Sequence, residues 1–148
     1  MAIEYRLTLA GATPVERVAE RGFPEQQDRP VGTAPLLTVD LLDRYGFGVD
    51  ILAGEQAFLD AESDSGSWAW NPAPYVAVLF QLDDDGDRPA AVVNMLRVVR
   101  RLLDSGGEDA ALDLNGNVLL LLRTGGALVK HNRDWWTNYQ EADDILPG

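Results

Sequence analysis

The stretch YVAVLFQLDDDGDRPAAVVNMLRVVRRLLD, residues 75–104, decides the fold, because it predicts a strand, a turn and a long helix in direct succession. Its first part, Tyr75–Leu82, is strongly apolar, as in a strand buried inside a sheet. Asp87 is placed to cap the helix predicted over Pro89–Asp104. The apolar residues that form one broad face of this helix are Val92, Val93, Met95, Leu96, Val99, Leu102 and Leu103. We therefore expect the helix to pack across an antiparallel sheet.

The N-terminal segment predicts a second strand and a second helix. Polar and apolar residues alternate over residues 3–10, which is typical of a half-buried strand. Thr13, Pro14 and Glu16 then match a capping box with proline at the first helical position. The pattern predicts a short helix that Gly22 ends.

Five further strands are predicted from apolar runs bounded by turn residues. They cover residues 36–42, 47–52, 111–114, 118–123 and 127–131. Asn115-Gly116-Asn117 is the strongest hairpin signal in the chain. The polar segments 23–35 and 53–74 are expected to be loops, with one helical turn over Gln56–Glu62. The tail from Asn132 is expected to pack over the sheet.

These elements predict an α+β protein. Their order along the chain is β-α-β-β-β-α-β-β-β. Two helices beside an antiparallel sheet make a two-layer sandwich. The length of 148 residues fits a single domain that spans residues 1–148.

The charge balance is the most informative global feature. The chain has 24 acidic residues against 12 basic ones, so its formal net charge is -12. A negative field of this size attracts basic proteins and repels nucleic acid. We therefore expect a basic protein as partner, and no nucleic acid.

The stock of reactive side chains argues against catalysis. One histidine and no cysteine exclude a thiolate nucleophile and leave few groups for a general base or a transition-metal site. None of the glycines falls into a nucleotide-binding motif. We expect a binding protein that is not an enzyme, with no catalytic residue, no metal site and no cofactor.

Two motifs still need an interpretation, namely an acidic turn and the single histidine. In Asp83–Asp87 the glycine is fourth rather than sixth, and Asn94 stands where a calcium loop needs a bidentate glutamate. This turn is interpreted as a helix cap. His131 has Asp113 or Asp134 as a possible partner for a general base, but no serine lies in a nucleophile elbow. We interpret His131 as structural.

Acidic runs and tryptophan pairs are the candidates for partner contact. Both occur in segments expected to be loops, and a negative face with aromatic anchors suits a basic protein. The predicted contact residues are Asp60, Glu62, Asp64, Trp68, Trp70 and Trp135. The alternative is that the carboxylates form a solvated surface and the tryptophans cover the sheet.

The sequence also bears on location. The N-terminus lacks the basic start and the apolar run of a signal peptide, and no stretch approaches the ~20 apolar residues of a membrane span. We expect a soluble, cytoplasmic protein without a membrane partner. The sequence leaves the oligomeric state open.

The ordered segments together resemble the SitI-type immunity proteins, which are partners of swarming-inhibition toxins. The residues that carry the resemblance are Ile3–Leu9, Tyr45–Phe47, Val78–Asp83, Met95, Leu102-Leu103, Asn115–Arg123, Gly126–Val129 and Trp135-Trp136. The resemblance implies an antitoxin that binds its cognate toxin in the producing cell, and it implies no catalytic residue. The alternative function is a small-molecule or metal-binding α+β module.

Overall fold

The structure is a computed structural model that describes residues 3–148. Within that range ten strands form one sheet, and five α-helices accompany it. The strands are β1 (Ile3–Ala10), β2 (Val31–Thr33), β3 (Leu36–Leu41), β4 (Phe47–Gly54), β5 (Leu59–Ser63), β6 (Gly66–Trp70), β7 (Tyr75–Leu82), β8 (Ala110–Leu114), β9 (Val118–Thr124) and β10 (Ala127–Lys130). The helices are α1 (Val15–Gly22), α2 (Leu42–Tyr45), α3 (Arg88–Asp104), α4 (Arg133–Asn138) and α5 (Gln140–Ile145).

The strands lie in the order β2-β3-β4-β7-β1-β8-β9-β5-β6, and β10 also pairs with β9. Neighbouring strands are antiparallel, except that β5 and β9 meet in parallel at Glu62 and Val118. The first strand of the chain, β1, therefore lies in the middle of the sheet, between β7 and β8. The predicted α+β class and the mainly antiparallel sheet are confirmed.

Side-chain alternation along β1 separates the two faces of the sheet. Tyr5, Leu7 and Leu9 are buried in the main hydrophobic core, which α1, α3, α4 and α5 also enter. Arg6 and Thr8 point to the opposite side. We call these the helix-covered face and the second face.

Helix α3 forms the largest part of the helical layer. All the residues of its predicted apolar face are buried except Val93, which is half-buried. Asp87 caps the helix as predicted, since its Oδ1 accepts a hydrogen bond from the Ala90 N–H at 3.2 Å. The sequence therefore predicted both the start of α3 and the side that it buries.

The prediction of only two helices is wrong, chiefly because the C-terminal tail folds into α4 and α5. Trp136 on α4 is fully buried, and its Nε1 donates to the Leu120 carbonyl at 3.1 Å. Lys130 is buried beside it and donates to Asp143 Oδ1 at 2.7 Å and to the Leu146 carbonyl. These contacts fasten the tail to the end of β10 and enlarge the core.

The predicted strand order is also wrong, because it lacks β2, β5 and β6. The segment 23–35, expected to be a loop, contains a 3-10 turn at Gln26–Asp28 and the edge strand β2. The helical turn expected over 56–62 is absent among the described residues: Leu59 and Ala61 are buried and their neighbours exposed, as in a strand. This segment forms the β5–β6 hairpin.

The capping box predicted at the start of α1 is wrong. Pro14 takes the N-cap position, where no side chain bonds to the helix. The Thr13 hydroxyl instead donates to Glu108 Oε2 at 3.1 Å, on the loop after α3. A long-range contact has replaced the local one.

No helix within residues 3–148 is long and apolar enough to span a bilayer.

Candidate partner-binding surfaces

The β5–β6 hairpin has an outer and an inner side. Residues directly opposite each other in an antiparallel pair project to the same side. Leu59 pairs with Trp70 and Ala61 with Trp68, so these four lie together on the inner side. Asp60 and Glu62 alternate with them and are therefore on the outer side, where both are exposed.

The inner side of the hairpin packs against the second face of the sheet. Ala61 forms a small buried cluster with Ala111 and Leu119, and Trp68 and Trp70 cover this cluster. Ala111 lies opposite Thr8 in the register, which identifies the face. Both tryptophans are half-buried. The hairpin thus adds a partial third layer, so the predicted two-layer arrangement is incomplete.

The tip of the hairpin is fastened to the end of β10. Asp64 Oδ1 accepts from the Asn132 N–H at 2.9 Å, and the Asp64 N–H donates to His131 Nδ1 at 3.3 Å. The side-chain amide of Asn132 donates to the backbone carbonyls of Glu62 and Leu119, at 3.1 and 2.7 Å. Asn132 has a φ of 55°, in the left-handed region that asparagine tolerates.

These contacts also place the single histidine. The sequence offered Asp113 and Asp134 as partners for His131, but its ring faces Asp64, with Nδ1 3.9 Å from Oδ2. Asp113 forms an ion pair with Arg6. His131 therefore joins the tip of the β5–β6 hairpin to the end of β10.

The remaining predicted contact residue lies on the other side of the sheet. Trp135 Nε1 donates to the Tyr5 hydroxyl at 3.2 Å, and the two rings are 5.8 Å apart. Burial raises the pKa of Tyr5 to about 12, as expected for a phenol inside the core. Tyr5 belongs to the helix-covered face, so Trp135 is separated from Trp68 and Trp70 by the sheet. The structure does not bring the six predicted residues into one surface, and their role in binding stays a prediction.

A part of the second face is left uncovered beside the hairpin. We call it the open face, and its half-buried side chains are Glu4, Arg6, Asp50, Leu52, Leu79 and Gln81. They come from three adjacent strands, because Glu4 pairs with Gln81, and Arg6 and Asp50 both pair with Leu79. The open face therefore combines charged and apolar groups on a flat support.

The polar groups of the open face are held by one another. Gln81 Nε2 donates to Asp50 Oδ2 at 3.3 Å and to Glu4 Oε2 at 3.4 Å. Arg6 Nε donates to Asp113 Oδ2 at 3.0 Å. Burial raises the pKa of Asp113, although the Arg6 charge and hydrogen bond oppose that shift. Because Asp113 neutralises Arg6, Glu4 and Asp50 leave the open face with net negative charge.

An exposed apolar rim borders the open face. Phe58 is 79% exposed, and Leu36, which pairs with Leu52, is 46% exposed. Phe58 and Leu52 line a cavity of about 270 Å³ together with Arg6 and Leu79. Phe58 was not among the predicted contact residues, although a lone phenylalanine in a polar segment is a recognisable signal.

Basic side chains are largely used within the fold. Among residues 3–148, seven of them lie within 4.0 Å of a carboxylate: Arg6, Arg21, Arg44, Arg100, Arg123, Lys130 and Arg133. Arg21 and Arg123 share Glu108, and Lys130 and Arg133 share Asp143. Most of the 24 acidic residues form no ion pair with the described residues, so the surface is strongly acidic.

Comparison with known families identifies one family. A family model described as SitI3-like matches residues 3–140, nearly the whole chain. The chain belongs to the SitI3-like family. No curated protein and no solved structure matches it.

Membership in the SitI3-like family confirms the resemblance read from the sequence and indicates an immunity role in general terms. The match runs from β1 into the start of α5. It includes the β5–β6 hairpin and the strands of the open face, so both surfaces lie within the matched range.

Proposed function

We propose that this chain is an immunity protein that neutralises a basic toxin by binding it one to one in the cytoplasm of the producing cell. The observation that carries this proposal is a strongly acidic surface on a member of the SitI3-like family. The family supports the immunity role. The charge supports the basic character of the partner.

Electrostatics would act mainly on the rate of encounter. Opposite net charges steer two proteins together and raise the association rate, and salt screens the attraction over about 8 Å at physiological ionic strength. Asp60 and Glu62 suit this role, since both are exposed on the outer side of the hairpin and neither forms an ion pair with the described residues. Buried contacts would then set the dissociation rate.

The proposed action is occlusion rather than chemistry. A bound immunity protein blocks the toxin's own surface, so it needs no nucleophile or cofactor of its own. The composition supports this, with one histidine and no cysteine. That histidine is occupied in joining the hairpin to the sheet edge.

A small-molecule binding module is the second candidate, and one observation favours it. A cavity of about 660 Å³ lies between α3 and the C-terminal helices, with Asn94, Arg97 and Tyr139 among its lining residues. Its size suits a ligand of ordinary metabolite dimensions. A thermal-shift screen of metabolites would favour this function if one compound raised the melting temperature and Arg97→Ala abolished that effect.

The proposal predicts a toxin gene immediately upstream of this chain's gene, and it is tested with the product of that gene in an inactivated form. Mixed with the chain, it should form a complex that contains one copy of each protein. Size-exclusion chromatography coupled to light scattering measures the mass of that complex, and salt should weaken it. Lysozyme, a basic protein that is not a partner, serves as the control for unspecific charge attraction. The absence of a complex, or an equal affinity for lysozyme, would contradict the proposal.

A further inference from the structure

We propose that the toxin docks on the open face, with Phe58 as its apolar anchor and with Asp50 and Glu4 receiving cationic side chains. This inference rests on the proposed function and names the surface that performs it. The part of the toxin that binds the open face is a basic surface that presents lysine or arginine beside an apolar patch.

Phe58 is an unusually exposed aromatic side chain. A phenylalanine that is 79% exposed contributes little to its own fold, and it leaves a large apolar area in water. Leu36 extends the same rim, and Leu52 and Leu79 continue the apolar area on the open face. Contiguous exposed apolar groups with a polar border are typical of protein-interaction sites.

Polar and apolar groups lie side by side on the open face. Asp50 on β4 lies directly opposite Leu79 on β7, and Leu52 lies two residues beyond Asp50 on β4. A lysine or arginine of the toxin can lay its aliphatic stem along these leucines while its charged head reaches Asp50. The carboxylate and the leucines together therefore suit a long cationic side chain.

The carboxylates of the open face are already held in place. Gln81 bridges Asp50 and Glu4 through its side-chain amide, so both carboxylates lose little further freedom when a cation binds. Arg6 lies on the same face but is neutralised by Asp113 at 3.0 Å. A basic partner therefore meets little repulsion there.

By contrast, the two tryptophans of the hairpin already have a structural role. Trp68 and Trp70 lie on the inner side and cover Ala111 and Leu119. Replacing them would disturb the packing of the hairpin itself. Phe58 is the large aromatic residue of this region that can be removed at little cost to the fold.

The test measures binding of the inactivated upstream gene product to four variants. Phe58→Ala and Asp50→Asn change the open face. Val31→Ala removes an apolar group that is 67% exposed on the edge strand β2, and Glu141→Gln removes an exposed carboxylate on α5. The second pair serves as the matched control, and melting temperatures confirm that all four variants fold.

We expect Phe58→Ala to weaken binding by about 10-fold or more, mainly through faster dissociation. Asp50→Asn should weaken binding several-fold and reduce its salt dependence. Both control variants should stay within about two-fold of the wild type. The inference is overturned if the wild type binds but Phe58→Ala binds equally well, or if the controls weaken binding as much. If the wild type itself does not bind, the proposed function fails, and this surface fails with it.

Discussion

Replacing Glu108 with glutamine should destabilise the fold strongly, because Glu108 joins α1 to the loop after α3. Arg21 Nη1 donates to Glu108 Oε2 at 2.6 Å and Arg21 Nη2 to Oε1 at 3.1 Å, and the Thr13 hydroxyl adds a third bond at 3.1 Å. The two side chains of the ion pair are only 7% and 13% exposed. Glu108→Gln removes the negative charge and turns an amide N–H₂ group toward the donors of Arg21.

The cost follows from leaving the Arg21 charge buried without its partner. Breaking a buried pair costs about 3–5 kcal/mol, and we take about 3 because the glutamine oxygen can still accept one bond. A loss of ~3 kcal/mol should lower the melting temperature of a chain of this size by about 6–12 °C. The matched control is Asp104→Asn, which removes an exposed pair with Arg100 whose side chains are 53% and 69% exposed. That control should cost no more than about 0.5 kcal/mol.

The pH dependence gives the same prediction an independent readout. Burial by itself would raise the pKa of Glu108, but hydrogen bonds from Arg21 and Thr13 and the Arg21 charge outweigh it, so the pKa lies below its ordinary value of 4.5. A depressed pKa means that the stabilisation is fully present above pH 4.5 and is lost as the pH falls through the folded value. The difference in unfolding free energy between wild type and Glu108→Gln should therefore shrink as the pH falls below 4.5. Urea melts at pH 7 and pH 3.5 measure it, and equal stability of the two proteins at pH 7 would refute the reasoning.

Three further predictions concern the core, metals and encounter. Val99→Asp should cost several kcal/mol, because Val99 is fully buried on α3 and the new charge has no partner; melting like that of the wild type would contradict the packing of α3. EDTA should leave the melting temperature unchanged at moderate salt, since the acidic turn caps a helix through Asp87; a fall of several degrees would reveal a bound cation. Asp60→Asn with Glu62→Gln should lower the on-rate for the toxin and flatten its salt dependence, as stopped-flow mixing would show; an on-rate that salt does not change would contradict electrostatic steering.

Local patterns predicted the elements whose signals are complete within a few residues. The alternation in β1, the apolar face of α3, the Asp87 cap and the hairpin at Asn115–Asn117 were all correct. In each of these elements the local preference and the tertiary burial agree. The prediction failed where a long-range contact overrides the local preference, as when Thr13 bonds to Glu108 instead of capping α1.

Strands without a strong apolar signal were missed for a related reason. All three residues of β2 are exposed, so no hydrophobic period identifies it. In β5 and β6 the period of two is present, with Leu59, Ala61, Trp68 and Trp70 all on the inner side. It was hidden by the acidic, glycine and serine residues between them, which resemble a loop.

The candidate site was predicted only in part. The exposure of Asp60 and Glu62 was predictable because both side chains are charged. The inward orientation of Trp68, in contrast, depends on the register of the hairpin. The open face depends on β4, β7 and β1 being neighbours, although these strands are far apart in the chain. A single sequence gives the phase of each strand but not the order of the strands in the sheet.

The most direct test of the account is a titration of the toxin's own activity with this chain. Increasing amounts of the chain are added to a fixed amount of the active upstream gene product, and the residual toxic activity is measured after equilibration. We expect a linear loss of activity that reaches zero at one chain per toxin. Full inactivation by much less than one equivalent would show catalysis instead of occlusion, and activity that persists at a molar excess would contradict neutralisation by binding.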